Sequence, residues 1–215
     1  MKKEFLFLAI FAFLMSFSSC FIQKNHINKM TKFIIHTDYG DMKGVLFNDT
    51  PQHRDNFINL VKEGWFKDSF FHRVIKNFMI QGGQNADGRL DPGYTVPAEF
   101  LPNHVHQKGA LAAARMGDQV NPAKASSGSQ FYIVQGQTYT DSTLNMMEQR
   151  SHVKYSPEQR EAYKTVGGTP HLDGAYTVFG EITEGLDVID KIAAVKTAAG
   201  DSPVEKVKMT IEIKK

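Results

Sequence analysis

From Thr31 to Lys214 the chain alternates short apolar runs with Gly, Asn, Asp or Pro, and this punctuation constrains the fold more than any other feature. KFIIHTDYG and DMKGVLFN flank a Tyr-Gly-Asp turn and predict an antiparallel hairpin. SFFHRVI, FMIQGG, GALAAAR, SQFYIVQG and YTVFGEIT follow, each bounded by turn residues. The last run, VKMTIEIK, alternates strictly over Met209, Ile211 and Ile213, as a closing strand would. Two core helices are predicted. The first opens at Thr50-Pro51, with Thr50 as cap and Pro51 in the first turn. It places Phe57, Leu60 and Val61 on one face and ends at Gly64. The second runs from about Gly185 to Val195, with Leu186, Ile189 and Ile192 at three-residue steps. Many short strands with two helices predict an all-β, closed antiparallel barrel. Closure also removes the exposed edges that invite aggregation. One polar stretch, residues 137–169, breaks the pattern; Ser156-Pro157-Glu158-Gln159 is a capping sequence ahead of a helix. It reads as a partly helical surface insertion between two strands.

Residues 1–19 are different in kind. Lys2 and Lys3 precede the unbroken apolar run FLFLAIFAFLM, and SFSS supplies small residues, the layout of a secretory signal. The single cysteine, Cys20, follows at once and resembles the lipobox of bacterial lipoproteins. That resemblance implies a lipidated Cys20 as the first mature residue, with a plain cysteine beside an ordinary cleavage site as the other reading. Residues 20–30 then form a tether and residues 31–215 the domain. The implied place is the bacterial cell envelope, lipid-anchored and facing the periplasm or exterior.

Without Lys2, Lys3 and Glu4 of the signal, 23 basic and 22 acidic residues remain, a formal net charge of +1. With no basic stripe, nothing points to nucleic acid. His104-x-His106 is the only close histidine pair, and no cysteine or acidic cluster completes a metal set, so no metal site is expected. No cofactor is expected either, and a monomer is the default state.

The chemistry concentrates in residues 71–83, FHRVIKNFMIQGG. Arg73 stands in a run of Phe, Val, Ile and Met that holds no Ser, Cys or carboxylate to act as nucleophile or base. A planar fork of donors beside an apolar surface suits binding and polarisation rather than covalent chemistry. Taken alone, Arg73 reads more often as a structural ion-pair arginine. Gly82-Gly83 lacks the spacing of a phosphate loop and reads as a tight bend after a strand. Alternation along SQFYIV turns Phe131 to the core and Tyr132 to the opposite face.

FHRVIKNFMIQGG, GALAAAR, SSGSQFYIV and PHLDGAYTVFGEI, in that order, resemble the cyclophilin family of peptidyl-prolyl cis–trans isomerases. The resemblance covers about residues 31–215 apart from the insertion. It implies an eight-stranded antiparallel barrel capped by two helices, and it implies catalysed rotation of X–Pro bonds in proline-containing polypeptides. The catalytic residues it implies are Arg73, Phe78 and Gln81. Its implied substrate-binding residues are Met79, Ala114, Arg115, Gln130, Tyr132, His171, Leu172 and Tyr176. Phe78, Met79, Tyr132 and Leu172 would form a ring pocket, with Gln81 fixing substrate backbone and His171 and Tyr176 at the rim. Tyr132 falls where the family has a second Phe; His171, Tyr176 and Arg115 replace a tryptophan, a histidine and an asparagine found in many members. The alternative is a module that holds proline segments, chaperone-like, with little turnover.

Overall fold

The computed structural model describes residues 30–89, 91–151 and 153–214, with the backbone alone at Ser151. The signal segment, Cys20 and the tether up to residue 29 lie outside the described residues. No helix among the described residues is long and apolar enough to cross a membrane.

The strands are β1 (Thr31–Thr37), β2 (Gly40–Leu46), β3 (Ser69–Phe71), β4 (Arg73–Ile75), β5 (Met79–Gly82), β6 (Thr95–Val96), β7 (Ala110–Ala113), β8 (Ser126–Ser127), β9 (Phe131–Val134), β10 (Val178–Glu184) and β11 (Val207–Lys214). The helices are α1 (Pro51–Lys62), α2 (Asp141–Ser151), α3 (Pro157–Thr165) and α4 (Leu186–Ala193). Nine strands form one antiparallel sheet in the order β3-β11-β1-β2-β10-β7-β9-β5-β4; β6 and β8 pair separately. The sheet's two ends, β3 and β4, are consecutive pieces of one bent strand that breaks at His72. β3 pairs with β11 and β4 with β5, while the His72 amide donates to the Gln81 carbonyl at 3.0 Å. The bend therefore closes the sheet into a barrel, and counting β3–β4 once gives the eight strands expected. The first hairpin turns one step earlier than expected: Thr37 pairs with Gly40 across Asp38-Tyr39.

Period-two alternation sorts side chains into an interior and an outer layer. Phe33, Ile35, Phe71, Phe131, Ile133, Met209 and Ile211 fill the interior with Phe57 and Leu60 of α1 and Val188, Ile189 and Ile192 of α4. Phe57 and Phe66 meet Phe131 edge-on, with centroids 5.8 and 5.7 Å apart. Gly83, just after β5, has φ +104°, and a Cβ there would lie 2.2 Å from the Ser129 carbonyl, so this bend requires glycine.

Two expectations need correction. Thr50 does not cap α1. Its ψ of 62° departs from the extended cap conformation, and its buried hydroxyl has no partner among the described residues. Glu99 caps the helix instead, accepting from the Gln52 and His53 amides at 3.1 and 3.0 Å. The insertion is also more than a solvated surface stretch. It folds into two helices, α2 and α3, and buries Leu144, Tyr155 and Tyr163 against Val105 in a small core of its own. The Ser156–Gln159 capping box does open α3. Gln137 and Gly168 bond reciprocally, at 3.2 and 3.0 Å, and draw the ends of the insertion together.

Candidate active site

Register sets the site. Arg73 stands opposite Gln81, Gln81 opposite Tyr132, and Tyr132 opposite Ala112, so one row crosses β4, β5, β9 and β7. Directly paired residues share a face, and this face is the outer one. Met79, two residues before Gln81, lies on the same face and is buried. Asn77, at φ 62°, turns the chain between β4 and β5 and delivers Phe78 beside Met79. β7 runs out into Ala114 and Arg115. A 3₁₀ turn, Pro170–Leu172, brings in Leu172, with Tyr176 just beyond it. Arg73, Phe78, Met79, Gln81, Ala114, Arg115, Tyr132, Leu172 and Tyr176 line one open pocket of about 180 Å³. That is below the roughly 300–1,000 Å³ of pockets for drug-sized ligands and fits a small ring. Clefts of about 280 and 360 Å³ lie elsewhere, around His104 and Glu181 and around Leu101 and Val153; neither contains an arginine.

Arg73 is half-exposed, and its Nε donates to Asp201 Oδ2 at 3.2 Å. An exposed pair like this contributes little stability. It does orient the guanidinium plane, and it leaves both Nη groups without a protein hydrogen bond among the described residues. Gln81 Nε2 donates to Gln130 Oε1 at 3.1 Å. Gln130 therefore stands behind Gln81 rather than in the pocket lining. Arg115 is differently placed. Its side chain is 4% exposed, its Nε donates to the Ala175 carbonyl at 2.8 Å, and Nη1 donates to Met116 O and Asp118 Oδ1. Its guanidinium lies 4.5 Å from the Tyr176 ring centroid, so it supports that ring as a slab. His171 is exposed and stacks on Phe78 with centroids 5.6 Å apart, outside the pocket lining. One face of the His171 ring is shielded from water by Phe78, and this local desolvation holds the imidazole below its ordinary pKa against the pull of Asp173. Burial likewise lowers His72, and the neighbouring Arg73 adds to the effect.

Behind the pocket lies a buried polar cluster that sequence reasoning missed. Tyr132 is buried, and burial drives its phenol pKa well up. Its hydroxyl meets His106 Nε2 at 2.9 Å, and His106 Nδ1 meets Asp173 Oδ1 at 2.7 Å. His104 and His106, a pair in sequence, diverge in space: His104 stacks on Phe47 and bonds Asp49 at 2.7 Å. Among the described residues no group of three or more metal-ligating side chains converges. The only local hint of the cluster was the Asp in PHLDG, next to Leu172; Asp201, in a polar turn, had none.

Residues 32–213 match the family described as "Cyclophilin type peptidyl-prolyl cis-trans isomerase/CLD". The chain belongs to the cyclophilin-type peptidyl-prolyl cis–trans isomerase family. A Staphylococcus epidermidis protein, provisionally named a peptidyl-prolyl cis–trans isomerase, is 37% identical over 188 residues, covering 85% of this chain and 89% of its own length. A Streptococcus pyogenes serotype M6 protein, provisionally named a bifunctional phosphatase/peptidyl-prolyl cis–trans isomerase, is also 37% identical, over 200 residues. That match covers 85% of this chain, which spans only 38% of the longer relative. The barrel is similar to the crystal structure of a Cryptosporidium parvum cyclophilin-type isomerase, with TM-score 0.62 and 24% identity over 86% of this chain and 98% of the other. This cyclophilin is thus a peptidyl-prolyl cis–trans isomerase with a nearly closed antiparallel barrel and, among the described residues, four α-helices.

Proposed function

We propose that the pocket beside Arg73 holds the ring of a proline and that Arg73 stabilises the amide as it twists. Rotation about a peptide bond has a barrier of about 18–20 kcal/mol because resonance is lost, and X–Pro exchange takes roughly 10–100 s unaided. No bond breaks, so no nucleophile is needed. The site must bind the twisted amide better than either planar isomer. In the twisted state the imide nitrogen regains a lone pair, and a guanidinium N–H aimed at it has a partner that the planar state lacks. A placed donor of this kind is worth about 3–4 kcal/mol, roughly two to three decades of rate. Phe78, Met79, Tyr132 and Leu172 would hold the ring while the preceding carbonyl swings. Gln81, steadied by Gln130, would bond the substrate backbone.

The observation that carries this reading is the Arg73–Gln81–Tyr132 row, with the guanidinium anchored, among the described residues, through Nε alone beside an apolar floor. The Cryptosporidium protein has also been crystallised in the presence of the dipeptide Ala-Pro. Acceleration of cis–trans exchange in an X–Pro peptide, with the bound peptide perturbing the Phe78, Met79 and Leu172 resonances, is the expected result. Tight binding without exchange would identify a holding module instead. Absence of both would sink the proposal.

The substrates on this account are exported polypeptides in the cell envelope, with Cys20 carrying the anchor. Membrane partitioning that is lost in Cys20→Ser is the expected outcome. A variant that stays in the membrane fraction would mean that the apolar segment anchors the protein uncleaved.

A further inference from the structure

The insertion reaches the pocket through the buried cluster. Tyr163 of α3 is fully buried, and its hydroxyl donates to Asp173 Oδ2 at 2.6 Å. The other carboxylate oxygen, Oδ1, accepts from the His106 amide at 2.8 Å and from His106 Nδ1 at 2.7 Å. A carboxylate only accepts, so Nδ1 carries a proton. In the neutral imidazole Nε2 is then the acceptor, and the Tyr132 hydroxyl, 2.9 Å away, donates to it. The His106 and Tyr132 rings lie within 12° of parallel, and Tyr176 stands edge-on to both at 87° and 80°. A second tyrosine of the insertion, Tyr155, donates to the Pro170 carbonyl at 3.1 Å, at the head of the turn that carries His171 and Leu172.

We infer that the insertion is a positioning device for the pocket: Tyr163, Asp173 and His106 set the orientation of the Tyr132 ring, and Tyr155 sets the Pro170–Leu172 turn. An apolar wall needs no hydroxyl, and a buried one costs free energy unless bonded. The bond at the far end of the Tyr132 ring holds its tilt and depth. Bonded groups in a fully satisfied buried network restrain one another. Asp173 follows Leu172 directly, so the same carboxylate that orients His106 also holds the end of the turn that lines the pocket. Residues 137–169 thus control how well the proline ring fits, although neither helix of the insertion contributes a residue to the pocket lining.

This inference rests on the proposed proline pocket, and the test separates the two. Exchange kinetics and urea unfolding are measured for the purified protein, Tyr163→Phe, Tyr132→Phe, the double variant and Arg73→Ala. Tyr163→Phe removes one oxygen and keeps the ring in the small core. Its kcat/KM is expected to fall about three- to tenfold, mainly through KM, in keeping with couplings inside one hydrogen-bond network. In the Tyr132→Phe background the same change is expected to cost little more, because the bond it acts through is gone. Tyr163→Phe with wild-type kcat/KM and lowered stability alone would overturn the inference, as would losses that multiply independently in the double variant. Arg73→Ala as active as wild type would overturn the pocket and this inference with it. Arg73→Ala inactive with Tyr163→Phe unimpaired would overturn this inference alone.

Discussion

Two buried histidine–carboxylate pairs in this cyclophilin are nearly superimposable in their bonding and opposite in their consequences. His53 offers its amide and Nδ1 to Glu99 at 3.0 and 2.7 Å, and its Nε2 meets the Ser126 hydroxyl at 2.9 Å. His106 offers its amide and Nδ1 to Asp173 at 2.8 and 2.7 Å, and its Nε2 meets the Tyr132 hydroxyl at 2.9 Å. The first chain ends in scaffold. Glu99 caps α1, and Ser126 sits in the short β6–β8 ladder. The second ends on the aromatic wall of the pocket. On the proposed reading, one polar motif serves the scaffold or the pocket according to which hydroxyl closes it.

The largest effects come from removing the carboxylates. Asp173→Ala strips three donors of their acceptor in a fully buried place, and a loss of about 3–5 kcal/mol is expected in urea unfolding. Glu99→Ala removes a helix cap and the partner of a buried imidazole, and about 2–3 kcal/mol is expected. The fraction that remains folded should be impaired in kcat/KM for Asp173→Ala and normal for Glu99→Ala. Equal impairment in both would erase the distinction between the two pairs.

The next effect is one of pH. Burial holds the His53 pKa below its ordinary value, and Glu99 opposes this only in part. The unfolded chain then binds more protons than the folded one below about pH 6.5, so stability falls as pH falls through that range. One group contributes at most about 1.4 kcal/mol per pH unit. His72, also lowered by burial, acts in the same direction. Replacing His53 with Gln should make the slope shallower without abolishing it; an unchanged slope would show that His53 is not buried neutral.

The hydroxyls come third. Ser126→Ala and Tyr132→Phe each remove one hydrogen bond, worth about 1 kcal/mol of stability. Only Tyr132→Phe should change peptide KM. Arg115→Lys is the smallest: it keeps the charge but loses the planar slab under Tyr176, a contact worth about 0.5–1 kcal/mol. A severalfold rise in KM with unchanged kcat is expected, and a fall in kcat instead would place Arg115 among the reacting groups.

What was legible in the sequence was local. Alternation and turn residues gave the barrel strands but not the short β6 and β8, separated Phe131 from Tyr132, and marked the capping box at Ser156. The closing strand and α4 followed from the spacing of Met209, Ile211 and Ile213 and of Leu186, Ile189 and Ile192. What was not legible depends on contacts between distant parts of the chain. Glu99 caps a helix that begins 48 positions earlier, and nothing near Thr50 shows that another side chain takes its role. Asp201 comes to Arg73 across 128 positions. The core of the insertion rests on Leu144, Tyr155 and Tyr163, too sparse in a polar stretch to show a period. The family motifs placed Arg115 in the pocket; the carbonyls and carboxylate that hold its guanidinium became visible only in three dimensions.

The central claim is that Arg73 acts on the twisted amide rather than on either planar isomer. Exchange of an X–Pro peptide by wild type and Arg73→Ala, with peptide affinity measured on the same samples, tests it most directly. A fall in kcat/KM of roughly two to three decades, with affinity changed far less, is predicted. An Arg73→Ala variant that exchanges the peptide at the wild-type rate, or that loses rate only in proportion to affinity, would contradict it.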